Sequence, residues 1–113
     1  MTTEFTAPTA ALCLLTLSLP PALEESLLDA LQTLPALGPT PGPFTVWQGQ
    51  LLGPGVALVS AMEQVQGRAK RCLVQWPLPP ADVPAVVQAL RDTLRHPDVH
   101  WWSTPVLAHG SLA

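Results

Sequence analysis

Charged side chains are scarce in this chain. Only 12% of its 113 residues are Asp, Glu, Lys or Arg, against about a quarter in an ordinary soluble domain, while apolar residues make up 48%. So little charge on so short a chain leaves apolar surface that an oligomer would cover. Five basic residues face eight acidic ones, for a net charge of -3, so no global field draws in nucleic acid. The two cysteines, Cys13 and Cys72, sit inside apolar runs with no Cys-x-x-Cys between them. They read as buried, reduced thiols, and the missing motif argues against metallochaperone chemistry. No apolar run approaches the roughly 20 residues that a membrane-spanning helix needs. Glu4 is the only charge before Glu24, so the N-terminus lacks the basic region of a secretory signal. The expectation is a cytoplasmic chain with no direct membrane insertion. No serine occupies a Gly-x-Ser-x-Gly elbow and no nucleophile is paired with a base, so no enzymatic activity is expected.

What the chain does have is a repeat. Leu19-Pro20-Pro21-Ala22 follows one apolar run and Leu78-Pro79-Pro80-Ala81 follows another. The match continues through Leu27-Leu28 and Ala30-Leu31 against Val86-Val87 and Ala89-Leu90. A strand, a proline turn and a helix are thus written twice, as in a duplicated half-domain. The length bounds the whole to one domain with a modest core.

Residues 1–9 are polar, carry Pro8 and read as a flexible N-terminal tail; residues 10–113 form the domain. From 10 to 19, Cys13, Leu15, Leu17 and Leu19 share one strand face, and Leu12, Leu14, Thr16 and Ser18 share the other. A strand greasy on one face and half greasy on the other belongs in the middle of a sheet. Leu23, Leu27, Leu31 and Leu34 then line one side of a helix that Pro35 stops. A stiff connector spans 38–43. Residues 44–50 read as a second strand, 51–66 as a long loop, and 68–77 as a third strand. Asp82 is placed to cap a second helix with Val83, Val87, Leu90 and Leu94 inside, and a last strand covers 99–107. The order β-α-β-β-α-β predicts an α+β, ferredoxin-like fold: a four-stranded antiparallel sheet with two helices on one face. Its other face, with Leu12, Leu14 and some of the tryptophans, is expected to drive self-association.

Arg68, Lys70 and Arg71 form the basic cluster, where the long loop re-enters the sheet. Such a cluster is either a solvated strand end or an anion site beside a Gly-containing loop. His96, His100 and His109 lack the spacing of a metal-ligand set and read as structural or surface residues. Trp101 and Trp102 must point to opposite faces. Packing accounts for them better than base stacking, which would want a basic sheet and an aromatic-rich third strand.

The segments Val65-Gln66-Gly67-Arg68-Ala69-Lys70-Arg71 and His100-Trp101-Trp102-Ser103-Thr104-Pro105-Val106, with Leu15-Thr16-Leu17-Ser18-Leu19-Pro20-Pro21 before them, resemble a bacterial family of PII-like proteins of unknown function. That family lies in the PII/CutA-like superfamily, and its genes often neighbour heavy-metal efflux systems. The likeness covers roughly residues 11–112. It implies a homotrimer whose sheets face the threefold axis, with 51–66 as the counterpart of the PII signalling loop. It further implies a small anionic effector, a nucleotide or similar, in clefts lined by Gln48, Gly49, Gln50, Arg68, Lys70 and Arg71. The loop would engage a protein partner, such as a membrane transporter. The chain has no tyrosine, so the likeness does not extend to a tyrosine-modified nitrogen-signalling loop. Two alternatives accompany this reading. One is a metal-binding accessory to efflux, holding a divalent or copper ion through His100 and His109; the other is a structural adaptor without ligand.

Overall fold

Strand β1 (Leu12–Leu19) is central because both of its faces are closed. Cys13, Leu15, Leu17 and Leu19 are buried on one side, and Thr16 and Ser18 are buried on the other. The computed structural model describes residues 11–34, 43–54, 56, 58 and 60–113. The expected tail 1–9 and most of the connector 38–43 lie outside these residues.

Four strands form one sheet in the order β2-β3-β1-β4, with β2 at Thr45–Leu51, β3 at Ala69–Leu78 and β4 at His100–Val106. Every neighbouring pair is antiparallel. Leu17 faces Val74 on β3 and Trp101 on β4, while Leu15 faces Trp76 and Ser103. These rows continue the buried face of β1 across β3 through Cys72, Val74, Trp76 and Leu78.

The proline repeat is a repeat of geometry. Pro20 has φ -62 and ψ 145, and Pro79 has φ -62 and ψ 137. Each leads into a single 3-10 turn, closed by Leu23 N–H donating to the Pro20 carbonyl at 3.0 Å and by Asp82 N–H donating to that of Pro79 at 2.9 Å. Helices α1 (Glu24–Gln32) and α3 (Val83–Thr93) follow directly. Proline suits this place because the first turn of a helix has no use for its missing N–H. Since the turn runs straight into α3, Asp82 already has helical dihedrals and its side chain makes no cap, contrary to the sequence expectation.

Leu27, Leu31 and Leu34 from the first helical segment pack with Val83, Val86, Val87 and Leu90 of α3 over the apolar sheet face. Phe44 closes one end against Trp76, edge to face, with ring centroids 4.9 Å apart. The fold is therefore the expected α+β arrangement, with one addition. Residues 51–66 are not loop throughout, because Ala61–Gln66 form a short helix, α2. Ser60 starts it by accepting the Glu63 N–H at 3.0 Å, and Gly67 ends it at φ 67, in the left-handed region. Its residues take no part in the buried core cluster, and Met62 and Val65 are 60% and 83% exposed.

The sheet face away from α1 and α3 carries Trp47 and Trp102, both about half exposed, beside half-buried Leu12, Leu14 and Leu73. A polar relay crosses it. Trp47 Nε1 donates to Gln75 Oε1 at 2.9 Å, and Gln75 Nε2 donates to Thr16 Oγ1 at 3.0 Å. Among the described residues, no helix is long and apolar enough to cross a membrane.

Because Leu15 is fully buried between both layers, Leu15→Ala is expected to cost about 3 kcal/mol in urea unfolding. Val65→Ala, on the exposed side of α2, should change stability by less than about 0.5 kcal/mol.

Candidate functional site at the base of segment 51–66

Strand alternation decides where the basic cluster goes. Cys72, Val74 and Trp76 face the helices, so Arg71 projects onto the opposite face, where it is nonetheless only 5% exposed. Four contacts hold its guanidinium. Nε donates to Ser18 Oγ at 2.8 Å, Nη2 to the carbonyls of Ser18 at 3.0 Å and Asp98 at 2.6 Å, and Nη1 pairs with Asp98 Oδ2 at 3.1 Å. The other Asp98 oxygen lies 3.6 Å from His100 Nε2. A buried charge without such partners would be strongly destabilising.

Around this clamp lies a cavity of about 590 Å³. The end of β1 and its proline turn form one side, and Leu51, Pro54, Val56 and Glu63 form another. His100 and Trp102 close the third. Glu63 supports the opening of β3, since Oε2 accepts the Lys70 N–H at 3.0 Å. Lys70 also lines the cavity, and among the described residues its ammonium has no ion-pair or hydrogen-bond partner. His100 is well exposed at the rim. This arrangement can receive a small molecule with its anionic group toward His100 at the rim and an apolar or planar part against Trp102, whereas the Lys70 side chain alternates to the helix side of β3.

The six residues expected to form one cleft are divided by the sheet. Gly49 faces Arg71 across the β2–β3 ladder, whereas Gln48 and Gln50 face Cys72 and Lys70. Gln48 Nε2 donates to Glu24 Oε1 at 3.1 Å, and Arg68 Nη1 donates to Gln50 Oε1 at 3.1 Å. Gln48, Gly49, Gln50 and Lys70 line a separate, shallow depression at the β2 edge. Lys70 borders both spaces. Ser18, Glu63 and Asp98 belong to the main cavity and were not anticipated. The spacing Ser60-x-x-Glu63 is a helix-start signature that points to α2 and its Glu63. Nothing in the sequence marks Ser18 and Asp98 as partners of Arg71, which lies 53 and 27 positions away.

The two histidines considered for a metal lie at opposite ends of β4. His100 opens the strand opposite Ser18, whereas Val106 faces Leu12 and His109 lies beyond it. A shared ion would need them from different subunits. Among the described residues, no group of three or more His, Cys, Asp or Glu side chains is placed to hold a metal. Cys13 and Cys72 are both buried and free. Cys72 Sγ lies 3.4 Å from Glu24 Oε1. Burial, reinforced by that carboxylate, pushes its thiol from 9.0 up to about 11.

The element order, the antiparallel sheet and the helix layer define a ferredoxin-like α+β fold. Residues 9–113 match the family described as Protein of unknown function (DUF3240), and the chain belongs to that family. A crystal structure of a DUF3240 family protein from Shewanella baltica is similar over 90% of this chain and 97% of that one, with TM-score 0.66 and 20% identity. CutA from Synechococcus elongatus is similar over 89% and 81%, with TM-score 0.60 and 16% identity. A Bacillus cereus protein related to NIF3 is similar over 92% of this chain but 27% of its own length, with TM-score 0.61 and 14% identity. At these identities the likenesses establish the fold. No curated protein sequence matches the chain.

Cutting the ion pair leaves the guanidinium buried with three of its four contacts but without its counter-charge. Asp98→Ala should therefore lower stability by about 2 kcal/mol in chemical unfolding, less than for a fully buried pair because Asp98 is half exposed. The Cys72 thiol generates a pH dependence. Between 9.0 and about 11 the unfolded chain gives up its proton while the folded chain keeps it. Stability should be intact below this window and fall as pH rises through it, with a shallower fall in Cys72→Ala when unfolding is followed at each pH.

Proposed function

We propose that this chain is a non-enzymatic, PII-like regulator. It assembles as a homotrimer, binds a small anionic effector in the cavity beside Arg71, and signals to a protein partner through segment 51–66. The observation that carries this reading is where the cavity opens. It lies on the sheet face that leaves Trp47 and Trp102 half exposed, so copies packed through that face would wall it with a second subunit. Its volume lies within the usual range of small-molecule sites, about 300–1,000 Å³. His100 supplies a donor at the rim and Trp102 a surface for a planar group such as a base. Arg71 supports the site by shaping it, since its donors are already engaged.

Segment 51–66 links ligand to partner in this reading. Glu63, within α2, touches the start of β3 beside Lys70, and Met62 and Val65 of the same helix stand in solvent. A shift of α2 on binding would present those apolar side chains differently to a partner, such as a membrane transporter.

Two measurements test this. Sedimentation should give a mass near 36 kDa, three times 12.0 kDa; a monomer or dimer overturns the trimer. Thermal unfolding against adenine nucleotides, cyclic nucleotides and bicarbonate should show one ligand raising the midpoint, because it binds only the folded form. His100→Gln should weaken that ligand at least tenfold without moving the midpoint of the free protein. A flat panel, or a ligand indifferent to His100→Gln, overturns the effector assignment.

A further inference from the structure

A second cavity of about 550 Å³ lies on the opposite side of the sheet, under the C-terminal end of α3. Its floor is aliphatic: Leu17, Leu27 and Leu90 are buried core residues that reach it from β1, α1 and α3. One wall is Trp101, on the helix side of the edge strand β4 and still 42% exposed. The rim has the opposite character. Arg91, Arg95 and His96 stand there, so two of the chain's five Lys and Arg residues border one apolar hollow.

Both arginines are exposed, and among the described residues neither has a hydrogen bond or an ion pair. His96 is oriented: its Nδ1 accepts the Asp98 N–H at 3.1 Å, which leaves the proton of the neutral ring on Nε2 as a free donor. Cations near a helix C-terminus complement the helix dipole, and that explains why basic residues occur in this stretch. It does not explain an open aliphatic hollow beneath them, with an indole left half in solvent.

We infer that this cavity binds a small aliphatic carboxylate, its hydrocarbon chain against Leu17, Leu27, Leu90 and Trp101 and its carboxylate on Arg91, Arg95 and the His96 Nε2–H. The aliphatic lining fits an alkyl chain, and the paired guanidinium groups fit a planar anion, which they meet with parallel donors. The site is independent of the cavity beside Arg71, since it lies among the helices and uses neither Lys70 nor Trp102.

The test is titration of the full-length protein with octanoate, followed by calorimetry and by amide shifts in nitrogen-15 spectra. The expected result is saturable binding, with shifts at residues 87–101 and at Leu17 and Leu27. Octanol, which has the chain without the charge, and inorganic phosphate, which has charge without the chain, should each bind at least tenfold more weakly. The double variant R91Q/R95Q should lose at least tenfold in octanoate affinity with an unchanged unfolding midpoint, as both side chains are exposed. Lys70→Gln should have no effect. The assignment is overturned if octanoate does not saturate at millimolar concentrations, if octanol binds as well, if R91Q/R95Q binds normally, or if the shifts fall on Thr16, Leu73 and Trp102 of the other face.

Discussion

A single guanidinium sets the geometry on which both surfaces of this protein depend. Arg71 is buried on the sheet face that carries no helices, and it is bound to the last polar residue of β1 and to the turn before β4. A charge taken out of water must keep its partners, so the positions of Ser18 and Asp98 are fixed relative to β3. Ser18 lies two residues before the Pro20-Pro21 turn, and the clamp therefore also sets where α1 begins. Asp98 lies between α3 and β4, so it sets how α3 leaves and β4 enters. The turn around Asp98 serves two cavities at once: its carboxylate and carbonyl hold Arg71 on one side, and its N–H orients His96 on the other.

The architecture was legible because two signals agreed. Period-two alternation marked the central strand, and the proline pairs marked both strand exits, with backbone angles that repeat within about ten degrees at Pro20 and Pro79. Helix α2 was not read because six residues cannot carry an amphipathic stripe, and this helix buries no stripe against the core. The site was legible only in outline. Three basic residues close in sequence were expected to act together, but the pleat sends Lys70 and Arg71 to opposite faces, and Arg68 is engaged with Gln50. Which guanidinium is structural and which cation is free depends on Ser18 and Asp98, contacts made by folding across many residues. Sequence proximity carries no information about them.

The sheet face opposite the helices combines bulk with polarity. Trp47 and Trp102 present apolar area, yet Trp47, Gln75 and Thr16 form a connected relay of hydrogen bonds across three strands. A polar network satisfied within one subunit can be covered by another without leaving unpaired donors. Packing on this face is thus compatible with its polar groups. The same relay fixes the rotamer of Gln75 and the tilt of the Trp47 indole, so this surface has a defined relief before any partner meets it.

The place of β1 in the sheet has a consequence for how the chain is made. The strand synthesised first is the one that ends in the middle, flanked by residues 69–78 on one side and 100–106 on the other. At ribosomal speeds of about 5–20 residues per second, the second flank appears on the order of ten seconds after β1 leaves the tunnel. For part of that interval a segment greasy on nearly every side chain has no strand to pair with, and after it only residues 69–78 on one edge, while contacts of such long sequence separation also form slowly. Leu12–Leu19 is therefore the stretch of the nascent chain most open to wrong contacts until its second flank arrives.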